Sequence, residues 1–99
     1  MKEIKNKFQL DEEDYTILRN ILLKYPYKFY VYGSRTKGRA KKYSDMDLFC
    51  RENMEEKDLF NIKDQIEESD ITIKVDILLK KRCSETFMRY IEDDLIEFT

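Results

Sequence analysis

Apolar residues recur along this chain in two different periods, and the switches between them mark out its elements. Asp11 and the acids Glu12, Glu13 and Asp14 precede a stripe at helical spacing: Ile17 or Leu18, then Ile21 or Leu22, then Tyr25. A helix is expected to begin at Asp11, with the acids favoured at the positive end of its dipole, and to stop at Pro26. Lys28 to Tyr32 is aromatic and β-branched and predicts a first strand ending at Gly33. From Asp45 to Cys50 the period is two, with Met46, Leu48 and Cys50 on one face and Asp45, Asp47 and Phe49 on the other. Leu59, Ile62 and Ile66 line one side of a helix over 55–69. Ile71 to Leu79 is the most hydrophobic strand, its face of Ile73, Val75, Ile77 and Leu79 backed by Thr72, Lys74, Asp76 and Leu78. Ser84 is placed to cap a last helix holding Phe87, Met88 and Ile91, and a short edge strand is expected over 95–98. The fold class is therefore α+β, a small mixed sheet of three or four strands flanked by helices, in a single domain over 1–99.

Charge sharpens this picture. Charged residues make up 40% of the 99, yet 19 cations against 21 anions leave a net charge of −2. A surface built to bind nucleic acid throughout would be strongly basic, so no direct DNA binding is expected and any phosphate partner is met locally. The local place is the segment from Arg35 to Lys42, in which five of eight residues are Arg or Lys and none is acidic. Two cysteines without CxxC spacing, and no histidine, exclude a structural zinc site and Ser-His-Asp or Cys-His catalysis. A base has to be a carboxylate or a metal-bound water. Cys50 continues a strand pattern and reads as a small buried hydrophobe. Charges crowd the first twenty residues and no apolar run approaches a membrane span, so no membrane association and a reducing cytoplasmic location are expected.

The chemistry concentrates between Gly33 and Leu48. Gly33-Ser34 ends the first strand, a glycine permitting positive φ or close backbone approach and a serine offering a hydroxyl and N–H to an anion. Gly38 either lets the backbone pass close to a substrate or serves as a simple turn residue. Asp45 and Asp47 are two apart on a strand and project to one face, roughly 6–7 Å apart. Two carboxylates so placed repel unless water solvates them or a cation lies between, and magnesium, which prefers oxygen ligands and substrate phosphates, suits the second case. Asp76 holds a polar position in the most hydrophobic strand, where an unpaired buried charge is costly, or it is a strand-edge residue facing water. If its strand lies beside that of Asp45 and Asp47, the three acids converge on one face and support a two-metal site with ions about 3.5–4 Å apart.

These residues together, Gly33-Ser34, ten intervening positions, Asp45-Met46-Asp47 and a later strand Asp76, resemble the nucleotidyltransferase superfamily that includes DNA polymerase β. The form Gly-Ser-Arg-x-x-Gly-x-Ala-x-x-x-Ser-Asp-x-Asp-Leu is similar to the minimal nucleotidyltransferases, or MNT-domain proteins, across nearly the whole chain. The resemblance implies the polymerase β-like fold, with Asp45, Asp47 and Asp76 as metal-binding and catalytic residues and use of two Mg2+ ions. It also implies ATP as substrate, and Gly33, Ser34, Arg35, Lys37 and Arg39 toward the triphosphate. Such proteins are commonly antitoxins of HEPN-domain toxins, transferring AMP to a toxin tyrosine (AMPylation). Two alternatives stay open: a binding antitoxin that masks its partner without catalysis, and transfer to a small molecule. Tyr25, Tyr27 and Tyr43 are partner contacts or packing residues.

Overall fold

The computed structural model describes residues 8–37 and 44–99. Asp11 caps the first helix as expected, its side chain accepting from the Glu13 N–H at 3.2 Å, and α1 runs over Glu12–Leu22. It ends before Pro26, because the chain turns at once, with the Lys24 and Tyr25 amides bonding back to Ile21 and Leu22. Then come β1 (Tyr30–Tyr32), a 3-10 turn (Gly33–Thr36), β2 (Met46–Cys50), α2 (Glu56–Glu67) and β3 (Val75–Leu79). A second 3-10 turn (Lys80–Arg82), α3 (Glu85–Glu92) and β4 (Ile96–Glu97) complete the order. The Ser84 side chain caps α3 by accepting from the Phe87 N–H at 3.1 Å.

The four strands form one mixed sheet in the order β3-β2-β1-β4, with β2 and β3 parallel and β1 antiparallel to both β2 and β4. The parallel pair is joined through α2, as parallel neighbours require a crossover. Leu18, Ile21 and Leu22 of α1 and Leu59, Ile62 and Ile66 of α2 close on Val31, Met46, Leu48, Cys50, Ile77 and Leu79, all buried in one cluster. That cluster covers one face of the sheet and supplies most of the apolar burial that drives folding. Among the described residues no helix is long and apolar enough to cross a membrane.

The third strand is shorter than its apolar pattern suggests, starting at Val75 rather than Ile71. Residues 71–74 are fastened to α1 instead. The Asp14 carboxylate is 2% exposed and accepts from the Thr72 N–H at 3.0 Å and the Thr72 hydroxyl at 2.5 Å. Asp14, expected as one of the acids that favour the helix start, is thus also a buried tie. The Lys74 carbonyl then accepts from the Met46 N–H at 2.9 Å and starts the β2–β3 ladder. Tyr25 and Tyr27 are half-buried packing residues, the Tyr27 hydroxyl donating to Asp58 at 2.6 Å, whereas Tyr43 lies outside the described residues.

Candidate active site

The opposite face of the sheet divides in two. Toward one end Phe49 is fully buried, and the Arg51 guanidinium lies 5.4 Å from the Tyr30 ring centre and 6.0 Å from that of Phe49. Arg51 also pairs with Glu92, which holds the end of α3 down over this half. The other half carries the acids and is open. In the parallel register Asp47 stands directly opposite Asp76, and in the antiparallel register directly opposite Tyr32. Strand alternation puts all three side chains on the same face, and Asp45, two residues before Asp47, on that face too. Asp47 is half-buried, while Asp45 and Asp76 are exposed. Of the two settings open to Asp76, the water-facing strand edge is the one observed: β3 is an edge strand and Asp76 is exposed on it.

Burial, then the charges of Asp76 and Asp45, push the Asp47 carboxyl above the usual carboxylate range. The Tyr32 phenol is pushed up to about 12, first by burial and then by Asp47, Cys83 and Asp76. Negative charge has thus been accumulated where water is partly excluded, which is the condition a bound cation relieves. Among the described residues no three His, Cys, Asp or Glu side chains stand close enough together to hold a metal ion. The donors are nonetheless all carboxylate oxygens, and they repel, so the set fits a hard divalent cation such as magnesium and not a soft one.

Gly33 opens the turn beside these acids with φ at +86°, and a Cβ there would lie 2.8 Å from Asp47 Oδ2. Only glycine serves here, on both counts: the backbone conformation and the missing atom. Ser34 follows, half-buried, and the Thr36 hydroxyl donates to the Gly33 carbonyl at 2.7 Å and tightens the turn. Lys37 is exposed and pairs with Asp94 at 3.1 Å.

Arg35 is placed differently from Ser34 and Lys37. It is 1% exposed, and its guanidinium donates to the carbonyls of Phe8 (3.2 Å), Gln9 (2.9 Å) and Ser44 (2.7 Å). Burial lowers its pKa, with Asp14 and Asp45 acting in opposition. Its bonds fasten the segment before α1 to the residue preceding Asp45, so it holds the carboxylate strand in place from within. Arg39 and Gly38 lie outside the described residues. Sequence reasoning overlooked the α3 side of the turn, where Phe87, Tyr90 and Ile91 of α3 and Asp94, just past its end, line a cleft with Gly33 and Ser34. The helical spacing of 87, 90 and 91 was the available signal.

Comparison with known proteins agrees with this geometry. The family described as "Polymerase beta, Nucleotidyltransferase" matches residues 16–96, from the middle of α1 through the last strand. A Haemophilus influenzae (strain ATCC 51907 / DSM 11121 / KW20 / Rd) protein named "Probable protein adenylyltransferase MntA" is 38% identical over 89 residues, covering 84% of this chain and 78% of its own length. The Gly-Ser turn against a pair of facing strand aspartates, and a match spanning most of the chain, lead to one conclusion: this protein belongs to the polymerase β-type nucleotidyltransferase family.

Proposed function

We propose that the protein moves AMP from ATP to a hydroxyl of a partner protein, a tyrosine of a HEPN-type toxin, and so acts as the antitoxin of that pair in the cytoplasm. The observation that carries the catalytic reading is the facing of Asp47 and Asp76 across β2 and β3, with the Gly33 turn against Asp47. The similarity to a protein named as an adenylyltransferase supports a protein acceptor. The free thiols of Cys50 and Cys83 accord with a reducing compartment.

Asp45 and Asp47 would hold magnesium, with Asp76 completing the set. Bound there, the metal neutralises the triphosphate and makes the α-phosphorus more electrophilic. Gly33 admits the triphosphate close to the backbone, and Ser34 offers its hydroxyl and N–H to a phosphate oxygen. The acceptor oxygen attacks the α-phosphorus, the bond from that phosphorus to the bridging oxygen breaks, and pyrophosphate leaves. The hydroxyl proton passes to the Asp76 carboxylate, which is exposed on the edge strand and open to a partner. With no histidine in the chain, a carboxylate is the fitting base.

The test is incubation with magnesium and α-labelled ATP, alone and with a HEPN-domain partner, reading the intact mass of both chains. The expected result is a gain of one or more AMP units on the partner, reduced by at least about a thousandfold in rate for Asp45→Asn with Asp47→Asn. Transfer at the wild-type rate in that double variant refutes the assignment. A tight inhibitory complex with no mass gain on either chain would favour the masking antitoxin instead.

A further inference from the structure

The outer edge of β3 has no partner strand among the described residues. Since the Lys74 carbonyl bonds to β2, alternation turns the backbone N–H and C=O groups of Val75 and Ile77 outward, away from β2. A bare edge is a template for another strand, and proteins blunt it with proline, a bulge, charge or a covering element. Val75–Leu79 contains no proline, and its register with β2 runs without a bulge. Nor does α2 close over it. Helix and edge leave between them a groove of about 370 Å³, floored by Ile66, Ile73 and Val75, and Asp76 belongs to its strand wall. Exposed Lys63, Glu67 and Lys74 line the groove as well. Neither lysine has an ion pair among the described residues. The Asp14–Thr72 bonds fasten the chain just before this edge, so the edge is held in one position.

We propose that an extended segment of the partner protein adds to this edge as a fifth strand, with its acceptor tyrosine opposite Asp76. The proposal rests on the reading of Asp76 as the base, which requires the acceptor hydroxyl to arrive at this strand. Strand addition meets that requirement by geometry alone. A residue laid opposite Asp76 shares its open face, and the residues on either side of it turn to the helix face and into the groove. The occupant is therefore an extended stretch with apolar residues flanking the tyrosine. A carboxylate on it would answer Lys63 and Lys74, which have none in this chain. A second copy paired through the same edge fits less well, because it would add another set of acids to a face already crowded with them.

The experiment measures transfer to the HEPN-domain partner, together with the affinities for that partner and for MgATP by calorimetry. Wild type, Val75→Pro, Lys63→Glu and the Asp45→Asn/Asp47→Asn double variant are compared. Val75→Pro removes one outward N–H at an edge, where proline is tolerated, and is expected to weaken the partner roughly 5- to 100-fold. Lys63→Glu reverses a charge on the exposed side of α2 and is expected to weaken it at least about threefold. MgATP affinity should stay within about twofold in both. Partner affinity unchanged in both variants overturns the proposal. If Val75→Pro weakens both ligands alike, the strand itself is damaged and Lys63→Glu decides alone. A wild-type dimer that Val75→Pro dissociates, with partner affinity kept, gives the edge to a second copy and also overturns it. The catalytic reading fails separately. Undiminished transfer by the double variant removes it, while weakened partner binding by the edge variants still upholds the docking edge. If wild type neither binds nor modifies the partner, both fall.

Discussion

On β2, Met46, Leu48 and Cys50 turn one way and are wholly buried beneath α1 and α2, while one residue along Asp47 turns the other way, half-buried and beside two more acids. The first face is stabilised by everything it contacts. The second is destabilised by its own charges, with the Asp47 carboxyl held above the ordinary range by burial and by Asp76 and Asp45. The same few residues of backbone serve both, so one strand carries a face that stabilises the fold and a face whose charges oppose it, and the apolar face offsets that cost.

Three substitutions test the contrast, beginning with the largest effect on stability. Leu48→Ala hollows the covered face at a residue with no exposure and is expected to cost about 2–5 kcal/mol, a large share of a small domain's total, seen as a lower urea midpoint. Gly33→Ala strikes the open face. The left-handed backbone alone costs about 1–2 kcal/mol, and the new Cβ meets Asp47 Oδ2, so transfer activity should fall further than the lost stability explains. A full-rate Gly33→Ala enzyme would contradict the role given to the turn.

Asp47→Asn should have the smallest effect and the opposite sign. A carboxyl whose pKa is raised in the folded protein favours its protonated form there. Its contribution to stability is present below the unfolded value of about 3.9 and is lost as pH rises through the folded value. Without metal, the variant should therefore melt above wild type at neutral pH, by a margin that vanishes below about pH 4. Magnesium should raise the melting temperature of wild type and have less effect on the variant. A variant less stable than wild type at pH 7 without metal would show that the open face is not strained by charge.

Much of the fold was legible in local pattern. The Asp11 and Ser84 caps, the apolar stripe of α2 and the alternation of β2 each depend on residues close in sequence, and each appears as expected. The common face of Asp45 and Asp47 was legible for the same reason, since spacing two along a strand fixes it. Asp14 and Arg35 were not. Asp14 read as a helix-start acid and Arg35 as a phosphate contact, yet each is buried on backbone or side-chain groups from elsewhere, Asp14 on Thr72 and Arg35 on Phe8, Gln9 and Ser44. No periodicity announces a partner 58 residues away. Phe49 likewise alternates onto the polar face but is buried there, because Arg51 and α3 cover that half.

By itself the sequence determined the elements, the apolar face of each and the motif of turn and paired aspartates, since all of these follow from periodicity and from the chemistry of neighbouring residues. Tertiary structure decided the rest: that β3 lies beside β2 with Asp76 opposite Asp47, that Asp76 stands open at an edge, and that Arg35 turns inward. Strand order and register come from the simultaneous burial of helix and sheet faces that are distant along the chain. That is a property of the whole packed domain, and no local window of residues contains it.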